Sequence, residues 1–146
     1  MTLPSGSPDE PFEFQFLSDT VIVRTSSEDT GGSYAVLDWS AAPDSVVPIH
    51  HHEGYEETFV MLSGLLEVTL GSTTTTIGPG QSVHVPQGAS HSYRTLPDTP
   101  ARMLLIIRPA GLEELFYRFR DNGEPFDVEG YLAVARNEFA TEYQVD

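Results

Sequence analysis

The sequence contains no cysteine and no lysine. Without cysteine there can be no disulfide, no thiolate ligand and no cysteine nucleophile, so any metal site must be built from histidine and carboxylate. Without lysine, Schiff-base chemistry and the phosphate-binding lysine of a P-loop are excluded. No stretch approaches the 18 or so apolar residues that a membrane-spanning helix needs. The opening MTLPSGSPDE lacks the basic and apolar regions of a secretory signal, which makes cytoplasmic the expected location. Positive charge is also scarce, with 7 basic residues, all Arg, against 22 acidic ones and a net charge of -15. Such a chain repels phosphate backbones and anionic lipid, so nucleic acid and membrane surfaces are not expected as partners. The acidity itself reads as solvation, which a salt-adapted source would share.

What is present fits one domain: 146 residues with 39% hydrophobic content. Residues 1–11 are rich in Pro, Gly and Ser and read as a flexible lead-in. From Phe12 the period is two, with Phe12, Phe14 and Phe16 alternating with polar residues, followed by the run Thr20 to Val23. Eight more β-rich runs follow between Tyr34 and Arg108, separated by turn signals such as Gly31-Gly32, Ser63-Gly64, Gly78-Pro79-Gly80 and Pro86-Gln87-Gly88. About ten short strands with no room for crossover helices imply a mainly antiparallel sheet closed into a sandwich or jelly-roll barrel. After Pro109 the period turns helical, with Leu112, Leu115, Phe116 and Phe119 on one stripe. A second helix is expected from the N-cap Asp127, with Val128, Tyr131, Leu132, Ala135 and Phe139 on one side.

Three of the five histidines lie in His50-His51-His52, just ahead of Glu53, Glu56 and Glu57. On a strand, residues i and i+2 share a face, so His50 and His52 project together and His51 points away. Two imidazoles on one face can chelate one ion. Glu57 opens the next strand, and an antiparallel return is expected to bring its carboxylate back beside the pair, giving three ligands from one hairpin. A fourth should come from another strand. His91, after the Pro86-Gln87-Gly88 turn, is a candidate, although strand pattern alone does not choose it over His84.

With these residues in place, the chain resembles the cupin superfamily. His50, His52, Glu57 and Gly64 satisfy each step of that family's first motif, and Gly80, Pro86, Gly88 and His91 fit its second in register. Asp44 stands where the first motif usually has Gly, and Thr95 where the second usually has Asn. Asp tolerates a left-handed backbone better than most residues, so the turn at 44 is expected to survive, while Thr95 bears on local hydrogen bonding. The resemblance implies an all-β fold, a cupin jelly-roll β-barrel with short C-terminal helices. The expected layout is a flexible segment over 1–11, the barrel over 12–109, and a helical extension over 110–146 packed on the barrel or a partner subunit. It further implies one divalent transition ion (Fe, Mn, Ni, Co, Cu or Zn) held by His50, His52, Glu57 and His91, and a homodimer.

Other residues near the motifs carry plainer readings. His51 suits a surface or interface, His84 a hydrogen-bonded position, and Glu53 and Glu56 solvent. Phe59 and Met61 share the face of Glu57, and Tyr93 that of His91, so these three could line a substrate pocket or simply pack in the core. The leading functional expectation is a dioxygenase-type oxidoreductase acting on a small organic molecule, aromatic or polyhydroxylated, with Glu57 as the proton-accepting catalytic group. The same site suits non-redox isomerase, cyclase or lyase chemistry. The fold also hosts small-molecule binders without catalysis.

Overall fold

The computed structural model of the chain describes residues 2–144. In chain order the elements are β1 (Phe12–Phe16), β2 (Asp19–Thr25), the one-turn helix α1 (Ser27–Thr30), β3 (Ala35–Ala41), β4 (Val46–His52), β5 (Glu56–Ser63), β6 (Leu66–Leu70), β7 (Thr73–Ile77), β8 (Ser82–Val85), β9 (His91–Thr95), β10 (Ala101–Arg108), α2 (Glu113–Arg118), α3 (Val128–Phe139) and β11 (Thr141–Tyr143). The strands form a six-stranded sheet in the order β1-β2-β3-β10-β5-β8 and a five-stranded sheet in the order β11-β4-β9-β6-β7. Every pairing is antiparallel, and the two sheets form a jelly-roll β-barrel.

Period-two alternation produces the core. Along β10, Ala101, Met103, Leu105 and Ile107 are buried, and along β3 so are Ala35, Leu37, Trp39 and Ala41. Each large apolar side chain removed from water in this way stabilises the fold by roughly 1.5–3 kcal/mol before its ordering entropy is subtracted. On the outer face of β3, Asp38 breaks the pattern. Its carboxylate is buried beneath Arg24 and Arg102, with contacts of 2.9 and 2.7 Å.

Two turns show why particular residues stand where they do. A Cβ added at Gly64, whose φ is +77°, would come within 2.2 Å of the Pro100 carbonyl oxygen, so no larger residue fits there. Asp44 adopts φ +56°, the left-handed conformation expected of it. Thr95 supports that turn: its hydroxyl donates to the Ala42 carbonyl (2.7 Å) and accepts from the Ser45 amide (2.8 Å).

Three expectations need correction. β4 and β5 do not form a hairpin, since they lie in different sheets and Glu57 faces the histidines across the barrel interior. The spacing that suggested a tight return equally fits a connection that changes sheet, and period-two parity is the same in both cases. The segment after Pro109 is not purely helical, because its end, β11, pairs with β4 and extends the five-stranded sheet. Its helices pack on the barrel of their own chain, with Phe116 against Phe16 and Trp39, and Tyr131 against Phe16. Val128, placed by periodicity on the apolar side of α3, is instead 57% exposed. The lead-in contains no strand among its described residues, yet Leu3 is buried in the core and Ser5 bonds Asp29 beside α1.

Candidate metal centre

The four motif residues converge at one point inside the barrel. His50 and His52 come from β4, His91 from β9 and Glu57 from β5, so the set draws on both sheets. A bulge at Pro48–Ile49 is what seats His50. Val46 and Val47 pair with Arg94 and Tyr93, after which the register shifts so that His50 stands directly opposite His91. Proline has no amide hydrogen to give to the ladder, and a bulge is a usual place for it. Because of the shift, Val47 and His50, three residues apart, both border the interior cavity.

All four side chains are buried, and one ligand atom from each lies within 4.8 Å of the others. Glu57 Oε1 is 2.5 Å from His52 Nε2 and 3.5 Å from His91 Nε2. The ring centroids of His50 and His91 are 4.1 Å apart. The outward nitrogens are all engaged. His50 Nδ1 meets the Pro48 carbonyl at 2.8 Å, and His91 Nδ1 meets the Ala89 carbonyl at 3.0 Å. A carbonyl can only accept, so both Nδ1 atoms carry the proton. His52 Nδ1 lies 2.7 Å from the hydroxyl of Thr141, and that hydroxyl spends its own proton on the Phe139 carbonyl at 2.9 Å. It therefore accepts from His52, which fixes the third tautomer. Every Nε2 is then a lone pair aimed inward.

Three lone pairs facing a carboxylate in a buried pocket repel one another unless a cation or a proton lies among them. Consistent with this, Glu57 Oε1 and His91 Nε2 have no well-angled hydrogen-bond partner despite their short contacts. The donor set fits a divalent ion, which would satisfy all four atoms at once, and His50, His52, Glu57 and His91 could hold one. Charge state agrees. Burial, reinforced by the His91 and His52 imidazoles, pulls His50 down to about 3, so it is neutral and able to ligate at physiological pH. Burial alone would raise Glu57, but positive charge placed among the His52 and His91 nitrogens that face it, as a proton or a bound cation, outweighs burial and holds the carboxyl well below the ordinary range.

Beside the ligands lies a cavity of about 390 Å³, walled mostly by apolar side chains and bordered by His50, His52 and Glu57. Of the residues expected to line a pocket, Phe59 and Tyr93 do so, their rings in edge contact at 5.4 Å. Met61 lies instead in the packed core, paired with Met103 across β5 and β10. His51 points away from the cluster toward Glu53, and His84 bonds the Thr58 hydroxyl on an exposed face.

Sequence reasoning missed Trp39 and Asp19 in the cavity wall, where the indole Nε1 donates to the carboxylate at 2.9 Å. It also missed Thr141, Tyr131 and Tyr143. Tyr143 stacks on His50 at 4.7 Å, and its hydroxyl lies 2.6 Å from that of Tyr131. A strand of three residues after a helix leaves no period to read. The only available signal was the alternation of Thr141 and Tyr143 on one face.

Residues 38–107 match the family described as Cupin domain. The chain is 30% identical over 110 residues, or 75% of its length, to a quercetin 2,3-dioxygenase of Bacillus subtilis (strain 168), and it spans 31% of that protein's length. In structure it is similar to KdgF from Halomonas sp., with a TM-score of 0.65 and 14% identity over 77% of this chain and 99% of that one. It is also similar to the polyketide cyclase RemF from Streptomyces resistomycificus, with a TM-score of 0.59 and 20% identity over 80% and 92% of the two chains. At these identities the structural likenesses bear on the fold.

Proposed function

The chain carries a cupin-superfamily domain, and from that premise we propose that it is a metal-dependent enzyme of the dioxygenase type acting on a small organic molecule. The observation that carries this reading is the contact between an apolar cavity and three inward-facing ligand residues, His50, His52 and Glu57, backed by His91. The partial relationship to a quercetin 2,3-dioxygenase points the same way. When bound, a divalent transition ion supplies Lewis acidity and, if redox-active, electron transfer to dioxygen.

The protein's own contribution is to position, to exclude water and to move a proton. Pro48, Ala89 and Thr141 hold the three imidazoles in one tautomer and orientation. Phe59, Trp39, Leu105 and Phe116 wall the cavity and keep it dry, which strengthens every charge interaction inside. Glu57, anionic and with Oε1 aimed inward, is the group placed to accept a proton from a substrate hydroxyl.

The test is dioxygen uptake by metal-loaded protein offered aromatic diols and flavonols, with ¹⁸O₂ tracing both atoms into product. A product of unchanged oxidation state would replace this reading with an isomerase, cyclase or lyase. Retention of the compound without turnover would replace it with a binding protein. Glu57→Gln should lower turnover by a factor on the order of 10² to 10⁴.

A further inference from the structure

The cavity's polar inventory is one-sided. Asp19, Asp44 and Glu57 place carboxylates in its wall, and none of the seven arginines is among the described residues that line it. Five of those arginines, Arg24, Arg94, Arg102, Arg108 and Arg118, are paired with carboxylates elsewhere. With no lysine in the chain, no other side chain of fixed positive charge is available to meet an anion there. Asp19 accepts from Trp39 Nε1 and from the Ala42 amide on separate oxygens, while burial raises its carboxyl above the ordinary range.

Neutral hydrogen-bond donors are available in its place. Tyr131 and Tyr143 both border the cavity with their hydroxyls 2.6 Å apart, and only one of the two can donate to the other. The second proton is left for a ligand. Tyr93 contributes another hydroxyl, which makes no hydrogen bond among the described residues although the ring is packed edge-on against Phe59.

The mouth is largely apolar, with Ser18, Asp44 and Ser45 beside the apolar residues. Leu17 from the β1–β2 turn, Val46 at the start of β4 and Val128 at the start of α3 all border the cavity while being 55%, 66% and 57% exposed. Leu17 does so at φ +53°, a left-handed conformation that a non-glycine residue adopts only at a cost. Three apolar residues from separate elements form a collar that a long apolar molecule would cover.

We propose that the cavity takes an uncharged, flat apolar molecule with hydroxyl or carbonyl oxygens at its inner end, and that it rejects anions of the same shape. The inner oxygens meet the tyrosine hydroxyls and the histidine–glutamate cluster, and the apolar body reaches the collar. Phosphorylated or multiply carboxylated substrates are thereby disfavoured. This rests on the reading of the cavity as a substrate site and narrows it to a chemical class.

The test uses two probes of one shape that differ in charge: 6-hydroxynaphthalene-2-sulfonamide and 6-hydroxynaphthalene-2-sulfonate. Binding to the protein as purified is measured by isothermal titration in 1 M NaCl, where a Debye length of about 3 Å removes the long-range repulsion of the acidic surface. The sulfonamide should bind at least about tenfold more tightly, because the wall carboxylates already offset a divalent ion in the ligand set and no basic side chain is left to meet a buried sulfonate. Tyr93→Phe should weaken the sulfonamide by about three- to tenfold. Equal or tighter binding of the sulfonate to the unmodified protein, no binding of either probe, or an affinity indifferent to Tyr93→Phe would each overturn the proposal. Binding with the expected charge preference but without dioxygen uptake on any diol would leave it standing and remove the oxidative reading instead.

Discussion

The barrel strands and the segment that follows them divide the work of the site unequally. β4, β5 and β9 supply every atom of the candidate ligand set, whereas α3 and β11 supply what braces those atoms: Thr141 behind His52, Tyr143 stacked on His50, and Tyr131 bonded to Tyr143. The first group follows a recognisable spacing, and the second does not. A ligand must be a particular residue at a particular parity. A brace need only present a hydroxyl or a ring at the right distance, which many sequences can do.

That division can be broken most severely from the barrel side. His50→Ala and His91→Ala should each weaken binding of a divalent ion by more than about 100-fold, read as metal content by elemental analysis after dialysis. Stoichiometric metal in both variants would mean that these residues are not ligands. The brace should matter less but measurably. Thr141→Val, which cannot accept from His52 Nδ1, should weaken metal affinity by about 10- to 100-fold in a chelator competition, and Thr141→Ser should restore it. If valine and serine behave alike, the hydroxyl has no orienting role.

Further out, Tyr131→Phe breaks the pair with Tyr143 and leaves ring packing in place. It should cost about 0.5–1.5 kcal/mol in urea unfolding, with little change in metal content. The smallest effect lies at Asp38, remote from the site. Its carboxyl is held below the ordinary range by hydrogen bonding to Arg102, against burial, with help from Arg24. A depressed folded-state pKa contributes stability that is present above the unfolded value near 4 and is lost as pH falls through the folded one. With Arg24 and Arg102 both partly exposed, the contribution should be below about 1 kcal/mol. Asp38→Asn should flatten that part of the acid-denaturation curve without touching metal binding.

How much of this was legible follows from what periodicity can carry. It separated His50 and His52 from His51, because parity is local to a strand. Motif register separated His91 from His84. Parity could not say that β4 and β5 belong to opposite sheets, since a hairpin and a change of sheet present the same alternating pattern. Nor could it reveal the bulge at Pro48–Ile49, which resets the phase within β4 and puts Val47 on the same side as His50. Asp44 was readable because it stands at a motif glycine and Asp tolerates the left-handed backbone that a glycine there implies. Its support by Thr95 was not, because the two lie on separate strands' ends and meet only in the fold. Val128 followed the helical stripe, but it sits at the first turn of α3 above the cavity mouth, where no element covers it.

The wall position of Trp39 has a practical corollary. It is the chain's single tryptophan, 3% exposed, with Phe16 and Phe116 packed edge-on against it and its indole nitrogen tied to Asp19. Its emission therefore arises from one fixed environment at the wall of the interior cavity. The molecule carries its own optical gauge of occupancy, readable without a label and free of background from any other indole.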